Sequence, residues 1–269
     1  MLLSLFLNLL EREMARVKTV LLIILTQSSI IIAHQPIMDM APRWNGGYGI
    51  QLRYERFGSD KFINGSNSLN RFLHETMWLE GVFTWTRSKR ITFKLPFHQI
   101  KNGNEIDNYI GGLILALPLK KYRNFNQHTQ NFGITPQLQL PNINSKISDK
   151  SQFGGGLSVS YSSESFLFYQ LFDIYVWNYS DKDPLLGFDV NLGIHPYHNN
   201  SSNSGFFAIW DVTAKWTQGS TTILSGPVLM PYYQNIMARL EIKYPLIENG
   251  EYSQFSRGLT LNAGIGFVF

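Results

Sequence analysis

The chain of 269 residues contains no cysteine, which excludes a disulfide scaffold and any Cys-ligated metal centre. It has no apolar run of the roughly 18 residues that a spanning helix needs beyond residue 33, so a bundle of membrane-spanning helices is excluded as well. Charged residues are few, at 16%. The pI of about 9.1 does not imply a nucleic-acid partner, because the basic residues form no stripe and accompany no aromatic RNA-binding motif.

What is present begins with a leader. Arg16 and Lys18 precede the apolar run Val20 to Leu25, then Thr26-Gln-Ser-Ser29 and a second run from Ile30 to Ala33. A positive flank, a short apolar core and a terminal small residue predict a secretory signal peptide over 1–33, cut after Ala33. Residues 1–13 lie upstream of that anatomy, which makes Met14 the better start. A short periplasmic segment, 34–46, and a transmembrane β-barrel, 47–269, are expected to follow.

The barrel is read from period-2 alternation. Tyr48, Ile50, Leu52 and Tyr54 share one strand face while Gly49, Gln51, Arg53 and Glu55 share the other. The same pattern recurs at Phe153 to Ser162 and at Leu186 to His195, and no helical period competes. Twelve candidate strands of about ten residues result, the length that a tilted strand needs to cross a bilayer. They run from 47–57 through 90–98, 108–120 and 130–141 to 257–269. An all-β antiparallel barrel of about 12 strands is therefore predicted, with long loops at 58–73, 99–107, 142–151 and 247–256. Connections 121–129 and 197–204 are long where a turn is expected, and 218–219 is short where a loop is expected. A soluble β-sandwich or lipocalin-like barrel is the alternative, but it would bury its apolar face and needs strands of only about five or six residues.

The end of the chain adds to this. Leu259, Leu261, Ala263, Ile265, Phe267 and Phe269 alternate with small or polar residues. This resembles the C-terminal strand by which barrel assembly machinery recognises its barrels, so Phe267 and Phe269 are expected to form an assembly signal. Tyr48, Tyr54, Trp85, Phe97, Trp177 and Trp216 lie near strand ends, where aromatic rings favour the headgroup level. Pro96, Pro118, Pro136, Pro227 and Pro245 each remove a ladder donor and are expected at rims or bulges, with Pro136 the hardest to place.

The face opposite the apolar one should line the lumen. It carries Arg53, Glu55, Glu80, Lys94, Asp173, Asp189, Asn191, Asp211, Lys215, Arg239, Glu241 and Lys243. Buried charges are costly alone, so many should pair across the interior. Nucleophilic catalysis would need Ser beside His and a third orienting group. The segment His195-Pro-Tyr-His198-Asn-Asn-Ser201-Ser-Asn-Ser204 has the residue types, but polar turn composition accounts for it better. His74-Glu75 lacks metal spacing. No catalytic residue, metal ligand or cofactor is assigned.

Three segments carry a resemblance: His34 to Gly49 at the expected mature start, Gly133-Ile-Thr-Pro-Gln-Leu-Gln-Leu-Pro141 followed by Phe153-Gly-Gly-Gly-Leu157, and Ser225-Gly-Pro-Val228. Together they resemble the outer-membrane β-barrel family of the meta-cleavage pathway of phenol degradation. Asn142 stands where that family has glycine after Leu-Pro, and Tyr109-Ile-Gly-Gly-Leu113 replaces its Gly-Asp signature. The resemblance implies passage of hydrophobic or aromatic compounds. The expected protein is a non-enzymatic, porin-like channel or uptake barrel of the Gram-negative cell outer membrane. Its expected partners are outer-membrane lipids, the barrel assembly machinery and small hydrophobic solutes, with no nucleic acid. The other expectation is a structural or surface-binding barrel acting through loops 58–73, 99–107 and 247–256.

Overall fold

The computed structural model describes residues 47–59, 72–86, 88–102, 105–125, 128–142, 153–165, 167–180, 183–199, 201–250 and 258–268. The expected leader, segment 34–46, most of loops 58–73, 142–151 and 247–256, and Phe269 lie outside them. The strands are β1 (Gly47–Ser59), β2 (Phe72–Thr86), β3 (Lys89–Asn102), β4 (Glu105–Ile110), β5 (Ile114–Ala116), β6 (Leu119–Phe125) and β7 (His128–Gln139). They continue as β8 (Gly154–Ser165), β9 (Phe168–Tyr179), β10 (Leu185–Asn199), β11 (Ser204–Thr217), β12 (Ser220–Tyr233), β13 (Ile236–Gly250) and β14 (Thr260–Val268). All pairings are antiparallel and, outside the β3–β7 region, join sequence neighbours, and β1 pairs β14 from Gly49↔Val268 to Phe57↔Thr260, which closes the sheet. Segments β4, β5 and β6 lie in succession along β3, with β5 and β6 also pairing β7, and act as one interrupted strand, so the barrel has twelve.

The interruption has a cause in the prolines. Leu117 N–H donates to Pro136 O at 3.0 Å, and Arg90 N–H donates to Pro118 O. Neither proline can return a bond, so the ladder is one-sided on both flanks of Leu117–Pro118. Pro136 thus sits within a strand, away from a rim. Its lost donor faces a break in the neighbouring strand. Pro245 flanks a bulge in β13, where Ile223↔Ile247 gives way to Leu224↔Pro245.

Several connections differ from expectation. The loop placed at 99–107 is strand on both sides, because β3 reaches Asn102 and β4 starts at Glu105. Segment 121–129 is likewise mostly β6 and β7, and β10 runs through to Asn199. These ends extend the ladder past the apolar part of each strand, so hydropathy alone places the boundary too early. The 218–219 turn is as short as read, with Gly219 at φ 79°.

The burial pattern is inverted relative to a water-soluble protein. Ile50, Leu52, Leu157, Val159, Ile174, Val176, Leu192, Ile194, Leu240 and Leu261 are exposed, whereas Gln51, Glu80, Asp173, Asn191, Asp211, Glu241 and Asn262 are buried. A continuous outer band of apolar side chains around a closed sheet requires hydrocarbon as its solvent. The soluble alternative fails on this point. Tyr48, at 61% exposure, Trp85 and Phe97 face outward as expected, but Trp177, at 7%, faces the lumen. Its parity with Asp173 on β9 overrides its position near a strand end.

Candidate functional site

Strand alternation delivers the inward side chains to one cavity of about 460 Å³. All twelve positions assigned to the inner face line it, including Glu80, Lys94, Asp189, Asp211, Lys215, Arg239 and Glu241. Sequence inspection missed Arg90, Lys120, Trp78 and Tyr175, which line it too. Parity with Lys94, Glu80 and Asp173 identifies three of these. Lys120 keeps the even parity of Ile114, Ala116 and Pro118, which also line the cavity.

One wall carries a charge ladder. Arg239 Nε donates to Glu241 Oε2 at 2.8 Å, and Lys243 Nζ donates to Glu241 Oε1 at 2.9 Å and to Asp211 Oδ1 at 2.6 Å. Thr213 Oγ1 donates to Asp211 Oδ1 at 3.1 Å. Asp211 and Lys243 belong to strands separated by β12, so the bridge must cross that strand. Gly226, paired with Asp211, is the residue it crosses. A Cβ there would lie 1.8 Å from the Ile242 carbonyl oxygen. A second ladder joins Arg53 to Glu80 at 2.9 Å and to Glu55 at 3.3 Å, with the Arg53 guanidinium over the Trp78 ring at 4.9 Å.

A further accommodation involves Tyr175. Its ring lies over Gly187 on β10, where a Cβ would come within 2.0 Å of it. Arg90 donates to the Tyr122 hydroxyl on the β3–β6 side.

Among the described residues, several inward polar atoms have no protein partner: Gln51 Oε1, Asp173 Oδ1, Asp189 Oδ1, Asn191 Oδ1 and Asn262 Oδ1. Leaving such a group unsatisfied costs about 1–3 kcal/mol. The lumen is therefore a polar, charge-lined interior, with six acidic and seven basic side chains facing the same space.

The residue clusters considered for catalysis have other partners. His195 is a strand residue, buried and stacked on Phe207 at 4.2 Å, and the Tyr232 hydroxyl bonds both His195 Nε2 and His198 Nδ1. The connection expected at 197–204 is shortened by the continuation of β10 to Asn199. Ser202 and Ser204 bond each other. His74 Nε2 meets His98 Nδ1 at 3.0 Å, while Glu75, on the other face, accepts from Tyr54 and Lys101. No group of three or more His, Asp or Glu among the described residues could hold a metal.

No protein-family model matches the sequence, nor does any curated protein. Solved structures do resemble the fold. An outer-membrane channel from Pseudomonas putida F1 aligns over 83% of this chain and 96% of its own, with 15% identity and a TM-score of 0.64. The beta domain of the Bordetella autotransporter BrkA aligns over 84% and 100%, with 12% identity and a TM-score of 0.44. With a closed twelve-stranded sheet, an apolar exterior and the likeness to the Pseudomonas barrel, the fold of this chain is that of an outer-membrane β-barrel.

Proposed function

We propose that the protein is an outer-membrane channel for small solutes. The carrying observation is the charged cavity, whose unpartnered inward polar atoms need water to be solvated. A hydrated interior within an apolar wall is a route for polar molecules. A volume of about 460 Å³ limits the route to small ones. The Pseudomonas structure is described as a channel, which agrees with this reading.

Passage of hydrophobic or aromatic compounds is the second reading. It rests on the resemblance to the phenol-degradation family and on the apolar share of the lining: Trp78, Ile114, Leu171, Tyr175 and Leu224. The balance of charged side chains favours polar solutes. The closing strand supports recognition by barrel assembly machinery, since Phe267 is outward and exposed on β14 beside β1.

The test is solute flux into liposomes containing the purified protein. Glycerol and glycine should enter faster than into protein-free liposomes, with the rate falling steeply for larger sugars. Benzoate compared with glycerol separates the two readings. Rates equal to those of protein-free liposomes for every solute would overturn the channel assignment.

A further inference from the structure

The lumen wall formed by β9, β10 and β11 holds an arrangement that the charge ladders do not explain. Asp173 on β9 is directly paired with Asp189 on β10. Two residues along β10 on the same face, Asn191 is paired with Asp211 of β11. Residues directly opposite on antiparallel strands have Cβ atoms about 4.5–5.5 Å apart, and like charges so placed repel. Relief comes from a proton shared by the pair or from a bound cation.

The protein's own cations do not supply it at contact distance. The lumen ion pairs include Arg53 with Glu55 and Glu80, Arg239 with Glu241, and Lys243 with Glu241 and Asp211. None of these includes Asp173 or Asp189. Lys94 and Lys120 face Asp173 from a distance, as Lys215 and Lys243 face Asp189. Asp173 Oδ1 and Asp189 Oδ1 are buried and unpartnered. Independently of the acidic pair, Asn191 is only 4% exposed and its Oδ1 is also unpartnered. All three side chains line the cavity.

We propose that Asp173, Asp189 and Asn191 form an ammonium-binding subsite within the passage, taking the primary ammonium group of a small solute. A primary ammonium has three N–H donors, and this wall offers three unpartnered acceptor oxygens, two of them on carboxylates. A hard divalent cation fits worse. Calcium takes about six to eight oxygens, and Asp211, the carboxylate paired with Asn191, is held by Lys243 and Thr213. The three oxygens are covered in their resting rotamers, so the guest enters by rotation of these short side chains with the backbone unmoved.

The subsite rests on the channel reading, and the experiment separates the two. In planar bilayers with KCl, n-butylammonium should interrupt the current of the wild-type protein reversibly, and n-butanol at equal concentration should not. The Asp173→Asn/Asp189→Asn double variant, with folding checked by heat-modifiable mobility, should need at least tenfold more butylammonium for half block of its own KCl current. Asn191→Ala should weaken the block while retaining both carboxylates. An undiminished block in the double variant overturns the proposal. So does block by calcium at lower concentration than butylammonium and lost in the same variant, which would identify a metal site. If the wild type passes no current, the channel reading fails by itself, and calorimetric titration of butylammonium into the detergent-solubilised protein decides the subsite. Saturable heat that the double variant loses supports it, and equal heats overturn it.

Discussion

Gly226 shows how one residue controls the interior. It pairs with Asp211 on one side, and the missing side chain leaves the inner surface of β12 open where Lys243 reaches Asp211. Any Cβ would meet the Ile242 carbonyl oxygen at 1.8 Å, and backbone cannot swing aside as a flexible side chain can. Gly226→Ala should therefore destabilise the barrel by about 1–3 kcal/mol, the usual range for forced overpacking. A lower urea midpoint for loss of the folded, heat-modifiable band checks this. An unchanged midpoint would mean that β12 and β13 separate there at little cost. Gly155 is the control, since nothing lies within 4 Å of its would-be Cβ, and Gly155→Ala should be nearly neutral.

At the scale of the strand, the β5–β6 interruption follows from two prolines meeting across one pair of strands. Pro136 accepts from Leu117 but cannot donate to it. Both residues are exposed on the outer face, where hydrocarbon offers the Leu117 carbonyl no replacement partner. Pro136→Val restores the donor, keeps an apolar residue toward lipid and suits a strand. It should raise stability by about 0.5–1.5 kcal/mol, the net value of one hydrogen bond, read as a higher urea midpoint with hydrogen-exchange protection of the amide that the substitution introduces. A lower midpoint would show that the kink itself is needed. The sequence carried the means to find the proline clash but not its partner, because Pro118 and Pro136 become neighbours only once register is known. Face assignment was legible within each continuous segment, where alternation holds, and it slips at the break between β4 and β5 and at the irregularity between Ile194 and Tyr197. Strand ends were not legible. Gln99, Lys101 and Asn102, and Lys121, Arg123 and Asn124, look like loop because the ladder continues into water, where neither face needs to be apolar. Trp177 was misplaced for the converse reason: nearness to a strand end suggested the headgroup level, while parity sent it inward.

At the scale of the molecule, the inside-out distribution of polar and apolar side chains ties the sheet to a membrane and makes the lumen an electrostatic device. The inner face was readable as a set of positions, but the ion pairs were not, because pairing depends on which strands the closed sheet brings together. Arg239 is the most informative of these. It donates to Glu241 through Nε at 2.8 Å and through Nη2, while Glu241 also holds Lys243. Truncating Arg239 removes the largest cation on this wall and leaves Glu241 with Lys243 as its remaining ion-pair partner among the described residues. Lining charges then fall from seven basic to six, against six acidic. The vacated volume and the partly uncompensated carboxylate should both draw in water and cations. Arg239→Ala should raise single-channel conductance in planar bilayers and shift reversal potentials toward cations, by about twofold in permeability ratio at low salt, as expected when one wall charge is lost from a narrow pore. The shift should shrink at about 1 M salt, where the screening length falls to about 3 Å. A folded variant with unchanged conductance and unchanged reversal potential would place Arg239 outside the conducting path, and the charge ladder would then serve only to hold β11 and β13 against β12.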